Sequence, residues 1–108
     1  MIFHITSRAA WESALGAGLY DADSLATEGF IHCSTADQYI WVANQRFRGR
    51  TDLVLLHIDP ARLRAEVRYE NLEGGDTLFP HVYGAIPIGA VLNVVPLRPG
   101  EDGSFAVS

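Results

Sequence analysis

Four polar side chains interrupt runs that are otherwise apolar: His4 and Thr6 in FHIT, and His32 and Ser34 in FIHCS. Residues two apart on an extended strand project from one face, so each pair presents an imidazole beside a hydroxyl. If the two strands lie side by side, the four groups converge on one patch with apolar flanks, the usual furnishing of a small-molecule site. A third imidazole, His81, stands in FPHVYG, sharing a face with Tyr83 between Pro80 and Gly84. Loops pinned in this way commonly present function.

Imidazoles titrate near neutrality and suit general acid and base work. His4, His32 and His81 are therefore the expected catalytic groups, with Thr6, Ser34, Thr35 and Tyr83 as expected ligand-holding groups. Arg46, Arg48 and Arg50 cluster where a helix should end. Guanidinium groups there offset the negative end of the dipole, and Arg46 and Arg50 are suited to grip a phosphate or carboxylate. Glu70 and Glu73 are carboxylates able to orient an imidazole. Each feature also has a plainer reading: a histidine bonded locally at a sheet rim, a turn shaped by Pro and Gly, a solvated charge run.

Other chemistries find little support. Three histidines match the ligand type of an open zinc site, but no HxH or HExxH spacing exists and no metal is expected. There is no GxSxG, GxGxxG, CxxC or paired-carboxylate motif. All eight basic residues are arginine, which removes Schiff-base chemistry and a P-loop lysine. His57, in the run DLVLLHID, reads as a packed structural histidine.

The elements that must position these groups follow from periodicity. Ile2 to Thr6 reads as a strand. Ser7 caps a helix whose apolar stripe is Trp11, Ala14 and Leu15, ending at Gly16 or Gly18. Asp21 to Gly29 reads as a loop, and Phe30 to Ser34 as a second strand with Ile31 and Cys33 opposite Phe30, His32 and Ser34. Ser34 to Asp37 resembles a helix start, followed by Tyr39, Ile40, Ala43 and Phe47 at helical spacing and a stop at Gly49. Leu53 to Ile58 is apolar enough to be buried on both faces. Glu66–Glu70, Phe79–Tyr83 and Ala90–Leu97 read as later strands, and residues 98–108 as a polar, frayed tail. Helices early and strands late give the α+β class.

A chain of 108 residues carries one core, placed here in a single domain over residues 1–97. The lone Cys33 allows no internal disulfide and fits a reducing compartment. The net charge of −5 repels a nucleic-acid backbone. No apolar run reaches membrane-spanning length, and MIFHITSRAAW lacks the pattern of a secretory signal. The expectation is a cytoplasmic protein with a small-molecule ligand, no general nucleic-acid binding and no membrane, as a monomer or homodimer. Tyr39, Trp41 and Tyr69 are candidate interface residues.

The set FHIT, EGFIHCST, DLVLLHID and FPHVYGAIPIGAV resembles a bacterial family known as domain of unknown function 952. At fold level that family is similar to ADP-ribosyltransferases and tRNA 2′-phosphotransferases. The resemblance implies a small, split, mostly antiparallel sheet, two helices in the N-terminal half, and NAD or a related nucleotide in the cleft. His4-Ile5-Thr6 resembles their first-strand His-x-Thr, which holds ribose, and His32-Cys33-Ser34 resembles the His-x-Ser of the phosphotransferases. Where many transferases place a catalytic glutamate, this chain has His81. Two readings stay open: a transferase-like enzyme without that glutamate, acting on a nucleotide or ADP-ribose-type ligand, and a non-catalytic small-molecule or protein interaction module.

Overall fold

The computed structural model describes residues 1–72 and 74–106. Strand β1 (Ile2–Ser7) leads into helix α1 (Arg8–Ala17), whose start is fixed by Ser7: its Oγ accepts from the Ala10 N–H at 3.1 Å. The helix stops at Gly18, which takes the left-handed φ of 82° that glycine tolerates. Trp11 and Ala14 face the core, whereas Leu15, expected beside them, is exposed. The stretch read as a loop contains β2 (Leu19–Tyr20) and a short helix α2 (Asp23–Glu28), so three helices stand where two were expected. The helix α2 has no buried residue, and hence no apolar stripe to betray it.

Strand β3 is only Ile31–His32, and helix α3 spans Tyr39–Arg46. Ser34 is not its cap. Its backbone instead exchanges two hydrogen bonds with Phe3, at 2.8 and 2.7 Å, and a turn at Thr35 precedes α3, which ends three residues before Gly49. Strands β4 (Leu53–Ile58), β5 (Val67–Glu70), β6 (Phe79–Val82), β7 (Ile86–Pro87) and β8 (Val91–Leu97) complete the α+β order.

The strands form three small antiparallel sheets, β1-β4-β8, β2-β7 and β3-β6-β5. Strand β4 lies between β1 and β8 and is buried on both faces, as its continuous apolar run requires. One face of that sheet joins a cluster built on Ile2, Val54, Leu56 and Ile58 with Trp11, Ile31 and Val82. The other packs Phe3, Ile5, Leu53 and Leu55 against α3. His57 packs edge-on to Phe3, ring centroids 4.9 Å apart, with its Nε2 buried and without a hydrogen-bond partner among the described residues.

The C-terminal stretch differs from expectation over its described part. Phe105 is buried in the α3 cluster, its backbone N–H donates to Asn44 Oδ1 at 2.7 Å, and Asn44 Nδ2 donates back to its carbonyl at 3.1 Å. One aromatic residue with both backbone groups satisfied ties this stretch to α3 at Phe105, despite its polar composition. No helix among the described residues is long and apolar enough to cross a membrane.

Candidate functional site

The site is built on one face of the β3-β6-β5 sheet. Alternation sends Ile31, Val82 and Val67 to the core and leaves the opposite face to His32, His81, Arg68 and Glu70. His32 and His81 are directly paired across β3 and β6, and their ring centroids stand 5.4 Å apart. Phe30 lies against both: it stacks on His81 at 4.2 Å and meets His32 edge-on at 4.9 Å.

Each of these imidazoles is held by a carboxylate. His81 Nδ1 lies 3.0 Å from Glu70 Oε1, and the Tyr83 hydroxyl donates to the same oxygen. The hydrogen bonds from Tyr83 and then His81 hold the Glu70 carboxyl below the usual carboxylate range, and the bond to Glu70 raises Tyr83 in turn. Arg68 sits over the Tyr83 ring, its Cζ 4.5 Å from the centroid. An ionised carboxylate only accepts, so a neutral His81 carries its proton on Nδ1 and its lone pair on Nε2. His81 is 4% exposed, and Nε2 has no hydrogen-bond partner among the described residues. His32, more open to solvent, has Nε2 at 2.6 Å from Glu28 Oε2.

Both pairs line a hollow of about 1150 Å³ whose wall includes Glu28, His32, Ser34, Arg46, Glu70 and His81. Asn71, Leu72, Gly75, Asp76 and Thr77, with the α3 residues Trp41 and Val42, also line it. Ser34 and Arg46, expected ligand-holding groups, line this hollow. Tyr83 reaches the site through Glu70 rather than through the wall.

The expected row of four is only partly drawn together: His4 lines this hollow with His32, Ser34 and His81, whereas Thr6 lines a second one, and β1 meets the β3 segment at Phe3 and Ser34. His4 is buried between this hollow and a second one of about 520 Å³, and both its nitrogens are engaged: Nδ1 lies 2.5 Å from the His32 carbonyl and Nε2 2.7 Å from the Tyr20 hydroxyl. Burial pushes its pKa down to about 4, so the ring is neutral at pH 7. A carbonyl only accepts, which puts the proton on Nδ1. Nε2 is then the acceptor for the Tyr20 hydroxyl, and Thr6 Oγ1, 2.9 Å from that hydroxyl, completes a buried chain. His4 fixes the backbone under His32, but has no nitrogen left for a ligand.

Two other expected groups lie elsewhere. Arg50 forks onto Asp52 at 3.0 and 2.7 Å and lines the second hollow. The Thr35 hydroxyl donates to Asp37, lowering that carboxyl, and Thr35 is not part of the wall. Glu73 lies outside the described residues. Cys33 lines the hollow with its thiol pushed well above the ordinary range by burial, a poor nucleophile. Among the described residues no group of three histidine, cysteine or carboxylate side chains is placed to hold a metal ion.

Sequence reasoning missed Glu28, Tyr20 and the wall position of Trp41. Glu28 had a faint signal, four residues before His32, but the turn between them hid it; Tyr20 had none, since only the pairing of β2 with β7 brings it beneath His4. Removing the Tyr20 hydroxyl leaves buried His4 Nε2 without a donor. Tyr20→Phe is therefore expected to lower unfolding free energy by about 1–3 kcal/mol, read from urea denaturation, with a change under 0.5 kcal/mol contradicting the buried chain.

The sequence matches, over residues 5–94, the family described as Protein of unknown function (DUF952). The crystal structure of protein CC0527 from Caulobacter crescentus is similar, at 32% identity and a TM-score of 0.87, covering 97% of this chain and 92% of that one. The solution NMR structure of the same protein is 33% identical with a TM-score of 0.83, covering 95% and 89%. No curated protein matches the chain.

Proposed function

The chain belongs to the DUF952 family, and we propose that its hollow is a general acid–base site acting on a small nucleoside-type ligand at the bond between ribose and its leaving group. The observation that carries this reading is His81: buried, oriented through Nδ1 by an ionised Glu70, and left with an unpartnered Nε2 in the wall of a hollow. A histidine held by a carboxylate in this way is a base whose lone pair has one direction. His81 takes a proton from an attacking water or hydroxyl, and His32, paired with Glu28, gives one to the leaving atom. The two rings then exchange the proton through solvent, which reaches His32. The spacing of 5.4 Å between ring centroids leaves both able to touch one bound molecule. In this reading Ser34 shapes the floor, and His4, Thr6 and Tyr83 position the groups that react.

An ADP-ribosyltransferase-like relationship belongs to the same proposal, its support being the split into small antiparallel sheets. NAD itself does not fit the wall. Among the described residues the wall carries Glu28, Asp37, Glu70 and Asp76 against Arg46, an unfavourable field for a diphosphate. The rival reading, a binding module, draws support from the exposed Trp41 and Leu72 in the wall.

Chromatography after incubating purified protein with nucleosides, nucleotides, NAD and ADP-ribose separates the two readings. Release of a base or leaving group from at least one nucleoside-type compound is expected. No turnover of any of them discards the enzyme.

A further inference from the structure

Beyond the two histidines, the wall of the hollow changes character. Trp41 is a large aromatic side chain on α3, 58% exposed, with Phe79 stacked against it at 6.2 Å between centroids and 28° between planes. An exposed indole backed by a second ring is a poor use of apolar surface unless something flat covers it. Asp37, four residues before Trp41, lines the same hollow, as do Asp76 and Glu28. His81 and Ser34, both buried residues, line the same hollow.

We propose that the hollow selects a positively charged heteroaromatic ring, stacked on Trp41 and faced by Asp37 and Asp76, and that it rejects polyphosphates. The inference rests on the acid–base reading for the position of the reacting end, but not for the ring. The physical basis is twofold. A cation over an indole gains from the ring's negative face, and the surrounding carboxylates add attraction for that charge while opposing phosphate oxygens. The carboxyl of Asp37 is held ionised by the Thr35 hydroxyl, so its contribution persists through mildly acid pH.

A charge series on one nucleoside tests this: 1-methyladenosine carries a positive ring at neutral pH, adenosine is neutral, and ADP adds a diphosphate. Titrations followed by NMR of the Trp41 indole N–H and the histidine rings give the affinities. 1-Methyladenosine is expected to bind roughly threefold to thirtyfold tighter than adenosine, and ADP more weakly than adenosine. Trp41→Ala should remove the binding and Trp41→Phe should restore part of it. Asp37→Asn should narrow the gap between the two nucleosides while the protein stays folded, since both positions are exposed. ADP binding as well as adenosine, no preference for the charged ring, undiminished binding by Trp41→Ala, or no binding of either nucleoside at millimolar concentration would overturn the proposal. Binding with this preference but without turnover would leave it standing and fell the acid–base reading instead.

Discussion

The His81→Gln variant is expected to lose about 10²–10⁴ of the turnover found with the wild-type protein, the largest effect of any single substitution in this molecule. Glutamine can still offer an amide N–H toward Glu70, and the neighbours of His81 are a stacked Phe30 and a carboxylate rather than a close-packed aliphatic core. Folding should therefore survive, with a urea midpoint near that of wild type. Lost turnover beside an unchanged urea midpoint separates a catalytic role from a structural one. Activity within threefold of wild type would remove His81 from the reaction.

The next largest effect concerns His4 and proton linkage. In the unfolded chain His4 binds its proton around 6.5, in the folded protein only near 4, because burial disfavours the charged ring. The unfolded state therefore holds more protons between these values. The His4 contribution is fully present above about 6.5, declines as the pH falls, and levels off below about 4. The full difference corresponds to about 3 kcal/mol. Urea unfolding of wild type and His4→Asn from pH 7.5 to 4 isolates this part: whatever the variant's stability at pH 7.5, its curve should be flatter by about that amount. Parallel curves would mean that His4 takes up its proton without cost, and that the buried chain from the His32 carbonyl through Tyr20 to Thr6 is not as described.

The legible part of the fold was whatever strict alternation or a cap encodes. The two-sided burial of Leu53–Ile58, the Ser7 cap and the positions of β5 and β6 follow from local pattern. The misread parts lack a local signature. Helix α2 has no apolar stripe, Ser34 looks like a cap but spends its backbone on Phe3, and Phe105 anchors a tail whose composition is polar. The same distinction runs through the site. Pairing of His32 with His81 needed two short strands to meet in register, which their sequences permit but do not announce. His4 was visible as a polar residue on an apolar strand, and such a residue is equally well a ligand-holding group or the start of a buried hydrogen-bond chain. Only the position of Tyr20 decides between them. Arg50 was drawn away by Asp52, two residues along, a local pair that sequence spacing allows but does not require.

Long-range proton–nitrogen NMR of the imidazole rings, recorded free and with 1-methyladenosine, tests the central claim most directly. The account predicts that neutral His81 carries its proton on Nδ1 with a bare Nε2, that the signals of both His81 and His32 move on titration, and that His4 keeps its Nδ1–H form and does not respond. A proton on Nε2 of neutral His81, or a ligand that shifts His4 and leaves the other two unmoved, would contradict it.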